Sequence, residues 1–472
     1  MKTYQDLMSC VTEAERAKFL LDALADHKAS AKYEFAKVAG EYYDGENHDI
    51  MRVEKIIHDE MGIAHVNKFA ANHKIPSNFF SMVVDQEVNY LLGNGIMFGN
   101  DDTEEKLGGD FSRRTMEVLL SAAVDGVAFG FWNRDHLESL SFSDDEVTPG
   151  FVPLYDEESG ALRAGIRYWQ LDDAHPMRLT LFEEDGGTEY IKRKDELPQI
   201  MTEKTPYKTT AARSKIGGER VIDGGNYPAF PIVPLKYNKK SRSALAGKRF
   251  TLAAFDLVTS GLINNVSEGD LIYWVLTNCG GMNGEDDAKF LRHALTTHII
   301  HANGDDSAKA EPKRIDAPYE ATIESAELLE KRLYKDFQAL DVEKIISGNQ
   351  TATAIRAAYS PLDLKADGTE KQVTDFIMAI LALAGIDDVP SYTRNRIINP
   401  LEEVQTVVTA SDYLDDEYKT RKILTILGDA DQADDVLRRM AADEAGRFAG
   451  GTEDPEDEEN STSEATDGAV GA

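Results

Sequence analysis

Cysteine is nearly missing from this 472-residue chain, with Cys10 and Cys279 its only two. Two thiols leave no room for a disulfide framework, and they fit synthesis in a reducing compartment. Long apolar runs are missing as well. The most apolar stretch, Phe376 to Ile386, falls short of the roughly 20 residues a membrane span needs, and Val118 to Trp132 is broken by Asp125. The opening MKTYQDLMSCVTEAER lacks an apolar core and reads as no signal peptide, so a soluble protein with no membrane partner is expected. Basic charge is in short supply: 51 Lys and Arg stand against 84 Asp and Glu, a net charge of −33. Eight of those acids and no base fall in Gly450 to Ala472, and subtracting them still leaves the body at −25. Gripping phosphates tightly takes a Lys/Arg surface, so contact with DNA is expected to be loose.

Catalytic signatures are also lacking. No H-E-x-x-H, G-x-S-x-G, phosphate loop or cysteine pair is present, which argues against an enzyme and against a packaging ATPase. Gly247-Lys248 ends like a phosphate loop, but Arg242 stands where its first glycine is required. Gly93, Gly95 and Gly99 imitate a dinucleotide fingerprint, yet they follow a helical pattern instead of a strand. His293, His298 and His301 have no carboxylate or cysteine repeating beside them and fall short of a four-ligand zinc set. No catalytic residue, cofactor or metal is expected.

What is there points to about three structural units, at roughly 150 residues per domain, of α+β class. Phe19, Leu20, Ala23 and Leu24 mark an amphipathic helix within Thr12 to Lys37, and Tyr42 to Gly45 make a turn. A polar helix is expected around Arg52 to Met61. Phe79, Met82, Val83, Val88 and Leu91 give a helix ending at Gly93. MEVLLSAAVDGVAFGFW combines a helix with an aromatic strand, with Gly126 and Gly130 at the change, and Asp185-Gly186-Gly187 sits between two strand patterns as a hairpin turn. Pro228, Pro231 and Pro234 favour an extended run that leads into a basic cluster, Lys236, Lys239, Lys240, Arg242, Lys248 and Arg249. Leu252, Phe255, Val258, Leu262 and Val266 form the apolar face of the next helix, LIYWVL reads as a strand, and Ile323, Leu328, Leu333, Phe337 and Leu340 form the face of a returning helix. The polar turn Ser347 to Thr351 then precedes a long helix carrying Val373, Phe376, Ile377, Ile380 and Leu381. Beyond Val404 a small charged helical unit is expected, followed by a terminal run too polar to order itself.

Four blocks in this order resemble bacteriophage portal proteins of the siphophage branch common in phages of Gram-positive hosts: YYDG with VDQEVNYLLG, FPIVPLKYNKKSRS, a helix pair around an insertion, and SGNQTATAIRAAYSPLDLKA. One step departs from the family pattern, with Ser243-Ala244 where relatives usually carry Ser-Asp. The resemblance implies a fold of wing, stem, clip and crown closing into a ring, usually a dodecamer, around a channel for double-stranded DNA. On this chain it implies an N-terminal helical arm at 1–33, a wing at 34–246, a first stem helix at 247–270, a clip at 271–317 and a second stem helix at 318–342. A tunnel loop at 343–353, a long wing helix region at 354–396, a helical crown at 397–447 and a disordered acidic tail at 448–472 follow. Implied partners are other copies of the chain, DNA, the terminase large subunit, the major capsid and scaffolding proteins and a head-completion adaptor, at a capsid vertex after assembly in the host cytoplasm. The implied tunnel-loop residues are Lys344, Ser347, Gly348, Asn349, Gln350 and Thr351, and the subunit-contact candidates are Lys239, Lys240, Arg242, Phe255 and Leu262. The nearest rival within structural proteins is a head-tail adaptor or minor capsid protein.

Overall fold

The computed structural model describes residues 2–58, 61–68, 70–100, 102–144, 148–213, 219–269, 273–277, 289, 309–313, 319–343, 352–395, 400–429 and 432–449. It is an α+β chain of two compact units, residues 1–395 and 396–472. No helix among the described residues is long and apolar enough to cross a membrane.

The first unit begins with α1 (Tyr4–Met8), α2 (Glu13–Lys28), α3 (Ala31–Tyr43) and α4 (His48–Met51). Thr12 and Glu15 cap the start of α2 reciprocally, each side chain meeting the other residue's backbone N–H. The single helix expected over Thr12 to Lys37 is therefore two, because the Ser30 side chain accepts from Tyr33 N and opens α3 afresh. The polar helix expected at Arg52 to Met61 is also absent from the described residues there. An exposed ribbon of β1 (Ile56–His58) and β2 (Ala64–Val66) takes its place, as the β-branched pair Ile56-Ile57 favours.

Next come α5 (Phe79–Leu92), capped by Gly93 as expected, β3 (Ile96–Met97), α6 (Thr103–Leu107) and α7 (Phe111–Asp125). Strands β4 (Val127–Asn133), β5 (His136–Leu140) and β13 (Ile232–Lys236) make a three-stranded antiparallel sheet in the order β13-β4-β5. Between them run β6 (Gly150–Tyr155), β7 (Leu162–Trp169), β8 (Met177–Glu183), β9 (Gly186–Lys192) and β10 (Gln199–Thr205), a meander of sequential antiparallel neighbours, then the ribbon β11 (Lys208–Arg213) and β12 (Glu219–Gly225). The hairpin expected at Asp185 to Gly187 is the β8–β9 connection. Leu20, Ala23 and Leu24 of α2 cover one face of the meander through Val152, Ile166 and Leu181.

After β13 the chain forms α8 (Arg249–Gly269), the ribbon β14 (Tyr273–Thr277) with β15 (Lys309–Lys313), α9 (Tyr319–Phe337), the 33-residue α10 (Ala352–Ala384) and β16 (Ser391–Tyr392), which pairs with β3. The second unit holds α11 (Pro400–Thr409), α12 (Asp416–Leu427) and α13 (Ala433–Ala449). Among its described side chains only Ala433 is fully buried.

The main core lies where α3, α5, α7 and α10 meet the β13-β4-β5 sheet. Val373, Phe376, Ile377, Ile380 and Leu381, the five residues the spacing selects, are all buried there, each contributing roughly 1.5–3 kcal/mol. Gly130 lies inside β4 and not at a turn. A Cβ on it would come within 2.5 Å of the Phe376 ring and 2.9 Å of Leu137 Cδ1, so the bare backbone is what lets α10 seat on the sheet. Gly130→Ala should lower stability in chemical denaturation by about 1–3 kcal/mol through overpacking, and Phe376→Leu in that background should recover part of the loss.

Candidate functional site

Three side chains of helix α5, Gln86, Glu87 and Tyr90, make polar contacts to the elements on either side of residues 344–351. Glu87 is 1% exposed, and its carboxylate accepts from the Tyr237 hydroxyl at 2.7 Å and the Thr369 hydroxyl at 2.8 Å while Lys365 Nζ lies 2.8 Å away. Lys365 and Thr369 sit one turn apart on α10, so a single carboxylate grips both. Burial, then the nearby Glu87 charge, hold the Tyr237 phenol well above its ordinary value, so Tyr237 stays a donor. One residue back, the Gln86 amide donates to Leu340 O at 2.9 Å and accepts from Leu340 N at 2.8 Å, fixing the chain just past α9. Three residues on, the Tyr90 hydroxyl donates to Asp363 and its ring stacks on Tyr359 at 5.7 Å between centroids. Leu340, Tyr359, Leu362 and Ala366 close a small apolar cluster around Tyr90. Both shoulders of the expected tunnel loop are thus held on one helix. Lys344, Ser347, Gly348, Asn349, Gln350 and Thr351 themselves lie outside the described residues, as do His293, His298, His301 and the acidic run from Gly450.

The basic turn between β13 and α8 is organised by Asn238. Its Oδ1 accepts from Lys240 N at 3.1 Å and Arg242 N at 3.2 Å, and its amide donates to Arg242 O at 2.6 Å. Ser241 takes a left-handed φ of 48°, and Lys239, Lys240 and Arg242 are left exposed. The turn rests on Gly126, whose φ of 94° caps α7 and where a Cβ would meet Ser241 O and Ser243 N at 2.7 Å. Ala244 is buried and donates its N–H to Ala123 O at 2.8 Å, so the small residue that departs from the family pattern occupies core. Beside the turn, Asp125 accepts from the Ser141 and Ser143 hydroxyls and from Phe142 N and Ser143 N. Burial pushes its carboxyl up to about 6 against those four donors, so it is mostly ionised at neutral pH.

Arg249 opens α8 by donating from Nε and a terminal nitrogen to the two Asp49 oxygens, each at 2.7 Å, and holds that carboxyl below its usual range. Along α8 the face buried within the subunit is polar beyond Leu252: Asp256, Ser260 and Asn264. They accept from Ser77 N at 3.1 Å, Ile75 N at 3.0 Å and His73 N at 2.6 Å respectively. Two residues of extended chain advance about 6.6 Å and four residues of helix about 6.0 Å, so alternate N–H groups meet acceptors one helical turn apart. Of the expected apolar face, Leu252, Phe255, Val258, Leu262 and Val266, only Leu252 is buried within the subunit. Phe255, Val258 and Leu262 are only half-buried, and Phe250, Leu257, Ile263 and Val266 are exposed, as are Ile323 and Leu328 on α9, which packs against α8.

The structure therefore separates the subunit-contact candidates: Lys239, Lys240 and Arg242 cluster on the turn, while Phe255 and Leu262 lie along α8. It also joins to the turn two residues the sequence reading passed over, Lys365 and Lys371 on α10, which line one cavity with Lys239, Lys240 and Lys248. They stand in the block SPLDLKADGTEKQV, and only the pairing of that helix with Glu87 reveals them.

The family model described as "Phage portal protein, SPP1 Gp6-like" matches residues 23–445. The chain is 26% identical over 360 residues to a portal protein of Clostridium phage phiCD119, covering 71% of this chain and 77% of that one. It is 24% identical over 401 residues to a portal protein of Bacillus phage SPP1, covering 78% and 75%. A solved chain from the neck of an empty gene transfer agent particle aligns over 74% of this chain and 90% of that one, at 10% identity and a TM-score of 0.40.

Removing Glu87 strands a buried ammonium and two hydroxyls. Glu87→Leu should cost about 3–5 kcal/mol in chemical denaturation, and Glu87→Leu with Lys365→Met should regain at least half of that. Equal loss in both variants would show that the ion pair is not what holds α10.

Proposed function

The chain belongs to the SPP1 Gp6-like family of phage portal proteins, and from that premise we propose that it is one subunit of a ring whose axial channel passes double-stranded DNA. The observation that carries the ring is the set of uncovered apolar side chains on the α8–α9 pair, Phe250 and Leu257 on one side of α8, Ile263 and Val266 on the other, and Ile323 and Leu328 on α9, all at least 40% exposed in the isolated subunit. Apolar side chains left uncovered on paired helices mark surfaces that other chains cover, and a head-to-tail contact between identical subunits closes into a ring. In this reading α8 and α9 are the two stem helices, the β14–β15 ribbon belongs to the clip, α10 is the long wing helix and residues 397–447 are the crown. Phe255 and Leu262 face a neighbouring stem, and the basic turn at Lys239, Lys240 and Arg242 meets a neighbouring wing. The low burial of the described second unit fits a crown that is completed by its neighbours.

The role is structural, with no covalent step. The ring sits at a capsid vertex at the head-tail junction, engages the terminase large subunit during packaging and the major capsid, scaffolding and head-completion proteins in assembly. An acidic wall binds phosphates weakly, so duplex DNA slides along it. Lys344, Ser347, Gly348, Asn349, Gln350 and Thr351 form the loop that touches the DNA, and the Gln86 and Tyr90 contacts hold its two shoulders.

Purified protein should give closed rings in negative stain and, for twelve copies of 52.3 kDa, a native mass of roughly 630 kDa. Leu262→Asp should leave folded subunits that do not close, and wild-type protein that stays monomeric under all assembly conditions would count against the ring. Deleting Asn349 to Thr351 should leave rings and capsid incorporation intact while shortening packaged DNA or letting it leak. Packaging and retention of a full genome at the wild-type rate by that deletion would remove the loop from the mechanism.

A further inference from the structure

Five lysines converge on one cavity of about 610 Å³ in a chain with 33 more acids than bases. Lys239 and Lys240 come from the basic turn, Lys248 from the approach to α8, and Lys365 and Lys371 from α10; Tyr237, Asn238, Thr369 and Gln372 add polar groups to the wall. Several cations elsewhere meet the chain's own acids, as in the pairs of Lys28 with Asp144, Lys204 with Glu183 and Arg394 with Glu370. Most of the lysines of this cavity do not. Only Lys365 has a carboxylate partner, the fully engaged Glu87. Among the described residues Lys239, Lys240, Lys248 and Lys371 have none within 4 Å.

Two carboxylates act on this cavity from nearby, and both are occupied. Glu87 is taken by Tyr237, Thr369 and Lys365, and Asp336 pairs with Arg332 at 3.4 Å. Lys248 Nζ has one acceptor, Ala244 O at 2.8 Å, and stands over the Phe337 ring at 4.8 Å from its centroid. Burial and the neighbouring Lys365 charge bring its ammonium down to about 8, the direction expected of a cation that lacks a counter-charge. Like charges gathered on a partly buried wall are unfavourable until an anion joins them.

We propose that this cavity binds a phosphate-class oxyanion, a tetrahedral dianion held by Lys239, Lys240, Lys248 and Lys371, with Lys365 locked in place by Glu87 as a fixed positive wall. The inference stands on the lysine geometry and does not depend on ring closure or on the tunnel loop. Backbone phosphate of DNA and free phosphate share this chemistry, and the experiment separates them.

Full-length protein is titrated with sodium phosphate and, at matched ionic strength, with sodium chloride, following the melting temperature and the ³¹P linewidth. Phosphate alone should raise the melting temperature saturably. Lys239→Gln with Lys371→Gln, both exposed and outside the core, should weaken the apparent phosphate affinity by about tenfold or more, read as the difference in melting temperature between phosphate and chloride for each protein so that any effect of Lys239 on a subunit contact cancels. In a second arm a fluorescent 30-base-pair duplex is bound at low salt. Displacement by phosphate, with matching loss of duplex binding in the double variant, assigns the site to backbone phosphate. Unchanged duplex binding in a variant that has lost its phosphate response assigns it to free phosphate. Identical behaviour of wild-type protein in phosphate and chloride overturns the proposal, as does a double variant that keeps the wild-type phosphate response.

Discussion

A carboxylate taken out of water costs several kcal/mol unless its oxygens are met, and Glu87 is met by a phenol from the end of β13, a hydroxyl from α10 and an ammonium one turn away on the same helix. These partners lie 150 and 282 residues from it in sequence for the phenol and the hydroxyl, so the interaction forms only once the sheet, α5 and α10 are together. It is supported from below by Gly130, which admits Phe376 to the sheet, and from the side by Gln86 and Tyr90, which hold the chain before and after residues 344–351. A loop can be useful in a channel only when its ends are fixed. In the portal reading, α5 supplies that fixity without lying in the loop.

Local patterns in the sequence were a good guide wherever a residue's environment is set by its own element. The five apolar positions of α10, the stop of α5 at Gly93 and the β8–β9 turn were legible because helical spacing and turn chemistry are short-range signals. The failures have one physical source. The burial of Asp256, Ser260 and Asn264 depends on a segment about 185 residues earlier that needs acceptors for its N–H groups, and no periodicity in α8 announces it. Lys365 and Lys371 likewise look like the solvated side of a helix until Glu87 and the Asn238 turn are placed beside them. Ser30 is an intermediate case: its capping chemistry was readable, but the charged residues around it carried the pattern across the break.

Charge is distributed in this molecule by use. Acids outnumber bases, many of the described arginines and lysines pair with them locally, and five lysines line one cavity beside the turn that joins β13 to α8. An acidic body keeps polyanions at a distance, so in the proposed reading the lysine-lined cavity is where a phosphate would be recognised against a repelling background. The glycine at 126 is part of that arrangement, because the backbone of the turn lies on it with no room for a side chain.

The bonds from residues 73, 75 and 77 onto α8 work like the teeth of a rack. A slide of α8 along this extended segment by less than a helical turn, or a rotation of α8 about its axis, takes the three part-buried N–H groups off their acceptors. The smallest displacement that restores the pairing is a full helical turn, about 6 Å. A displacement along α8 is therefore coupled, through these three bonds, to the segment directly ahead of α5.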